Sequence, residues 1–103
     1  MKNYYSVNGY ISWSVEDRAE LLEILLQASK DLEEVEDCYI YSIGVNEEDL
    51  TKVFIYEVWK DEEAHKESLK LDAIKKLIEK AKPIIKGMDS FPSQKIMGGK
   101  EIK

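Results

Sequence analysis

Hydrophobic positions along the chain alternate between a period near two and a period near 3.6, which divides it into strands and helices. Residues 4–13, YYSVNGYISW, mix aromatic and β-branched residues with small polar ones and predict a first strand. Gly9 within it predicts a bulge or a close backbone approach. Ser14 and Asp17 have the spacing of a capping box, with Asp in the place of Glu, and open a helix. Leu21, Ile24, Leu25, Ala28, Leu32 and Val35 form its apolar stripe, and it should end near Glu36-Asp37. A second strand is expected at Cys38–Val45, a polar turn at Asn46–Asp49, and a third strand at Val53–Trp59.

The second helical region begins at Asp61, with a stripe of Leu69, Ile74, Leu77, Ile78 and Ala81 and a break near Leu71-Asp72. Pro83 ends it, because proline lacks the helix hydrogen-bond donor and clashes with the preceding turn. Residues Gly87 to Pro92 read as a loop leading to a last strand at about Gln94–Ile102, interrupted at Gly98-Gly99. The order is β-α-β-β-α-β, an α+β chain with an antiparallel four-stranded sheet in the ferredoxin-like, split βαβ arrangement. Two helices can cover one face of such a sheet. Yet the third strand is apolar on both sides, Val53, Ile55 and Trp59 against Phe54, Tyr56 and Val58. The second has Ile40 on one side and Tyr39, Tyr41 and Ile43 on the other. The expectation is a homodimer packed through its sheet faces.

With 103 residues and no linker, repeat or low-complexity stretch, the chain reads as a single domain, 1–103, with its core at about 4–102. A net charge of −6 argues against nucleic acid and anionic membrane as partners. A lone cysteine, Cys38, forms no intrachain disulfide and fits a reducing compartment. Met1-Lys2 leads into a strand without an apolar leader, so a cytoplasmic location is expected. One His and one Cys give no metal cluster, and no glycine-rich phosphate loop is present. The run Thr51–Tyr56 invites comparison with RNA-recognition strands, but the glycines of that motif are missing and the charge repels phosphate.

The chemistry concentrates in Val53 to His65, VFIYEVWKDEEAH. Glu57 and Trp59 are two apart on a strand and share a face. Asp61 caps the next helix, with Glu62 and Glu63 at its positive end, and His65, the only histidine, follows one turn in. This places a carboxylate, an indole and an imidazole at one strand exit. His65 is the candidate base, with Glu57 the second choice, both by proximity. Each residue has a plainer reading as well. Trp59 also suits a core anchor, His65 a solvated helix position, and Glu57 an ion pair with a lysine. Asn8 either lines a pocket or satisfies strand backbone beside Gly9. The Lys75-Lys76 and Lys80–Lys82 charges read as a solvated helix face.

The element order, Glu57-x-Trp59 and Glu63-Ala64-His65 resemble the antibiotic biosynthesis monooxygenase (ABM) domain family. Trp59–Ile85, Asp37-Cys38-x-x-Tyr41 and Met97-Gly98-Gly99-Lys100 are similar to its quinol monooxygenase branch. The resemblance implies a dimeric α+β barrel with a pocket between sheet and helices in each subunit. It also implies oxygenation of electron-rich phenols or hydroquinones without metal or flavin, so no cofactor is expected. On this reading Asn8, Tyr41 and Trp59 bind and orient a flat aromatic substrate, and His65 or Glu57 takes its proton. The haem-degrading branch has an Asn on the first strand, a Trp ending the third and a His ten residues later. Asn8 and Trp59 match, but position 69 is leucine, which removes the axial ligand. Other members carry a helix histidine near the position of Ser68. The alternative is a dimeric barrel that binds a small aromatic or apolar ligand without turnover, as a sensor or stress-associated module.

Overall fold

The computed structural model describes residues 4–100, arranged as one antiparallel sheet with its helices on one side. In chain order the elements are β1 (Tyr4–Trp13), α1 (Arg18–Asp31), β2 (Cys38–Asn46), β3 (Asp49–Trp59), α2 (Glu62–Ser68), α3 (Asp72–Ala81), β4 (Ile85–Ser90) and β5 (Gln94–Ile96). The sheet order is β2-β3-β1-β4, and β5 shares the β4 edge of β1, pairing with Tyr4–Ser6 where β4 pairs with Gly9–Trp13. This is the expected α+β, ferredoxin-like arrangement with one strand more than anticipated.

Residues 85–90 were expected to be mostly loop and are a strand instead. Gly87, Met88 and Asp89 carry little strand propensity, so what makes this segment a strand is its pairing with the free edge of β1. The last strand is correspondingly short, ending at Ile96; positions 101 and 102 of the expected strand lie outside the described residues. Gly9 meets the close backbone approach foreseen for it. A Cβ there would collide with the Asp89 carbonyl oxygen and lie 2.9 Å from Ser90 Cα.

The first helix starts differently from the expected capping box. Ser14 makes no side-chain cap bond; its backbone carbonyl accepts from the Asp17 amide at 3.0 Å, closing a short 3₁₀ turn at Val15–Asp17 before α1. A second such turn, Leu32–Glu34, ends the helical stretch. Asp61 does cap α2, its carboxylate accepting from the Ala64 amide at 2.8 Å. The break expected near Leu71-Asp72 spans Leu69 to Leu71, where amides donate three residues back before α3 resumes.

Two apolar clusters lie between sheet and helices. Ile11, Trp13, Leu21, Leu25, Val53 and Ala81 form one, and Leu32, Trp59 and Ile74 the other. The indole of Trp13 stays buried because its N–H donates to the Leu50 carbonyl at 2.7 Å. The far face of the sheet carries Phe54 and Tyr56, both exposed. Tyr39 is not on the side of Tyr41 and Ile43. Cys38 pairs with Trp59 and Ile40 with Val58, which leaves Tyr39 as the extra residue of a bulge, packed edge-on against Tyr4 at 5.1 Å. Among the described residues no helix is long and apolar enough to cross a membrane.

Candidate functional site

Glu57 sits on the helix-facing side of β3, opposite Val7 of β1 and Tyr41 of β2. One oxygen, Oε1, accepts from the Trp59 indole N–H at 2.9 Å and lies 3.9 Å from His65 Nε2. The capped start of α2 brings His65 back over the strand exit. There its ring stands 5.8 Å from the Trp59 ring and 5.7 Å from that of Tyr5. The reading of His65 as a solvated helix residue therefore fails, since the imidazole is packed between two aromatics. The lysine partner considered for Glu57 is likewise replaced by Trp59 and His65.

Burial disfavours both charges. It raises the Glu57 carboxyl above its ordinary 4.5, against the opposing hydrogen bond from Trp59. It lowers His65 below 6.5, with Glu62 pulling weakly the other way. Near pH 7 the imidazole is neutral and holds a free lone pair on one nitrogen. The Nε2–Oε1 distance is too long for a direct hydrogen bond. It is short enough for one oxygen atom of a ligand to touch both.

These two side chains end a cavity of about 560 Å³ between the sheet and α1, α2 and α3. Its walls are mainly aliphatic, Ile11, Leu25, Ile55, Ile74 and Leu77 among them, with the Tyr41 ring beside the imidazole. Leu69, Ile78 and Met88 line it too, and are 51%, 50% and 68% exposed. Leu69 and Ile78 belong to the expected apolar stripe of the second helical region, yet face open space, because the stripe there borders the cavity. Apolar side chains left open around a concavity are characteristic of ligand sites. Tyr41 has its hydroxyl proton held well above the ordinary range by burial and by the Glu57 charge.

Of the five candidate site residues, Glu57, His65 and Tyr41 line this cavity. Trp59 does not. It is a core residue, 1% exposed, that orients Glu57 from behind and borders a separate cavity of about 270 Å³ with Lys60, Asp61 and Ser68. Asn8 is a clearer correction. It pairs with Tyr56, so it points to the far face of the sheet, away from Glu57 and Trp59. Its place could not be read from β1 alone, because the face depends on the register against β3. Two cavity residues escaped sequence reading, Lys82 and Lys86. Lys82 was counted with a solvated helix face, and Lys86 lies at a β1–β4 register shift that leaves no mark in the sequence.

The chain is thus a ferredoxin-like α+β domain with a largely apolar, partly open cavity and a carboxylate–imidazole pair at one end of it. Residues 4–80 match the family model for antibiotic biosynthesis monooxygenase, and the chain belongs to that family. A crystal structure of a protein from Chloroflexus aurantiacus J-10-fl, named "putative antibiotic biosynthesis monooxygenase", is 26% identical. It superposes with a TM-score of 0.85 over 97% of this chain and 99% of its own. Similarly named proteins from Bacteroides thetaiotaomicron VPI-5482 and Deinococcus radiodurans share the fold. The first has 17% identity, a TM-score of 0.85 and coverage of 99% and 97%; the second has 19%, 0.77, and 96% of each chain. None of the curated proteins compared with the chain matches it.

Proposed function

We propose that this protein is a cofactor-independent monooxygenase that oxidises a quinol or polyphenol with molecular oxygen. Membership of the family supports a monooxygenase. The observation that carries the finer reading is the Glu57–His65 pair, 3.9 Å apart at one end of an apolar cavity. A ligand hydroxyl donating to Nε2 would lose its proton to neutral His65, with the nearby Glu57 carboxylate stabilising the resulting imidazolium. The ring anion then gives one electron to oxygen, and the radical pair joins at a ring carbon. The hydroperoxide so formed loses water, leaving a quinone one oxygen richer, so that hydroquinone plus oxygen gives hydroxyquinone plus water. The aliphatic walls favour electron transfer from an anion stripped of water on binding and hold the ring against Tyr41. The working unit in this proposal is a cytoplasmic homodimer, joined through the sheet faces that carry Phe54 and Tyr56.

Oxygen uptake with hydroquinones and polyphenols tests this, with metal-stripped protein beside His65→Ala, Glu57→Gln and a no-protein blank. The expected result is saturable uptake above the blank, reduced roughly 100-fold or more in His65→Ala. The rate should fall as the solution is acidified through the depressed His65 value, because protonation removes the base. Uptake no faster than the blank, from folded protein, would refute the oxygenase. It would leave the second reading, binding of an apolar ligand without turnover, which the predominantly aliphatic lining favours.

A further inference from the structure

The ionisable groups that line the large cavity fall at two ends. Glu57, His65 and Tyr41 stand at one, and Lys82 and Lys86 at the other. Register along β1 measures the separation. Glu57 pairs with Val7 and Gly87 with Ser12, five residues further on, or roughly 17 Å along the strands at ~3.4 Å per residue; β3 and β4 flank β1, which adds roughly 10 Å across the sheet and makes the backbone separation about 20 Å. Lys82 is the C-cap of α3, at the foot of the helix wall.

Lys86 is there for a specific reason. Trp13 pairs with Ile85 and Ser12 with Gly87, so β4 spends two steps where β1 spends one, and Lys86 is the extra, unpaired residue of a bulge. In a regular strand Ile85 and Lys86 would face opposite sides. The bulge re-aims the chain so that Ile85, Lys86 and Gly87 all border the cavity. Among the described residues neither Lys82 nor Lys86 has a carboxylate within ion-pair distance, whereas Lys52 and Lys70 do. Two cations thus stand at the mouth of an aliphatic cavity, in a protein of net charge −6.

We propose that this cavity takes an elongated hydroxyaryl acid. Its hydroxylated ring sits at Glu57 and His65, a flexible apolar linker runs along Ile78 and Met88, and an anionic group meets Lys82 and Lys86. With side chains reaching inward from both ends, the remaining gap is on the order of 10 Å, which fits a ring and a linker of about four carbons. An acid at the mouth also orients the ligand, because a carboxylate beside Glu57 would be repelled. The proposal rests on the reading of Glu57 and His65 as the hydroxyl-binding end and names the substrate class for it.

The test is calorimetric binding under argon, where no turnover occurs, of 4-hydroxyphenyl alkanoic acids of increasing chain length and their methyl esters. Wild type should bind the best acid roughly tenfold more tightly than its ester, the effect of two partly exposed ion pairs, and the preference should shrink with added salt. It should vanish in Lys82→Met/Lys86→Met, whose exposed sites leave the fold intact. The charge-reversed Lys82→Glu/Lys86→Glu should favour the matching amine. Equal binding of acid and ester, a preference that survives in the double variant, or binding of neither compound would overturn the proposal. Absence of oxygen uptake, with the acid preference intact, would refute only the oxygenase chemistry.

Discussion

Replacing Trp59 with phenylalanine separates the indole's packing from its hydrogen bond to Glu57. The N–H donates to a carboxylate that burial already disfavours, at 2.9 Å. A hydrogen bond to a charged group contributes about 1.5–3 kcal/mol, and one between neutral partners about 0.5–1.5 kcal/mol. Loss of ring volume within the Leu32–Trp59–Ile74 cluster adds a pH-independent cost of about 1 kcal/mol, at ~24 cal/mol per Å³ of cavity. Trp59→Phe should therefore lose about 2.5–4 kcal/mol at pH 7 and about 1.5–2.5 kcal/mol at pH 4. The sign follows from linkage. The folded state holds the Glu57 proton more tightly than the unfolded chain does, so its contribution is complete below 4.5 and is lost as pH rises through the raised folded value. The indole offsets part of that loss, and removing it steepens the decline. Urea unfolding of both proteins at the two pH values, at one fixed concentration and followed by circular dichroism, measures the difference. A Glu57→Gln background should abolish the pH-dependent part. An equal loss at pH 4 and pH 7, or a pH dependence that persists in that background, would refute the coupling between Trp59 and Glu57.

Two further outcomes follow from the sheet. Gly9→Ala should destabilise by about 1–3 kcal/mol, because β4 must shift away from the new methyl group, and thermal unfolding would report it; an unchanged midpoint would mean that the close approach is absent. Phe54→Glu together with Tyr56→Glu should abolish the proposed dimer while leaving the monomer folded, since both side chains are exposed on the far face; light scattering showing the same mass as wild type would refute association through that face.

Most of this architecture is legible in the sequence because it rests on local periodicity. Leu21, Leu25, Ala28 and Leu32 recur at helical spacing and are the buried residues of the first helical segment. Glu57 and His65 can be linked from the sequence because a strand exit and a capped helix start lie only a few residues apart, and that closeness needs no tertiary information. What escaped depends on partners distant in sequence. β4 is a strand because β1 offers it an edge, Asn8 faces away because β3 sets the register of β1, and Trp59 is enclosed because α2 and the second 3₁₀ turn close over it. The bulges at Tyr39 and Lys86 each add one residue to a ladder, and no residue type signals them.

The two ends of the cavity differ in how firmly the sheet holds them. Glu57 lies on β3, hydrogen-bonded on both sides by β1 and β2, whereas Lys86 lies on β4, which among the described residues is an edge strand paired with β1 alone, with a bulge in that ladder. Amides around Glu57 should be among the slowest in the chain to exchange with solvent deuterium, and those of β4 among the fastest within the sheet. Entry and exit of a ligand then draw on local opening of a weakly tethered edge, while the carboxylate, indole and imidazole keep their geometry from one binding event to the next.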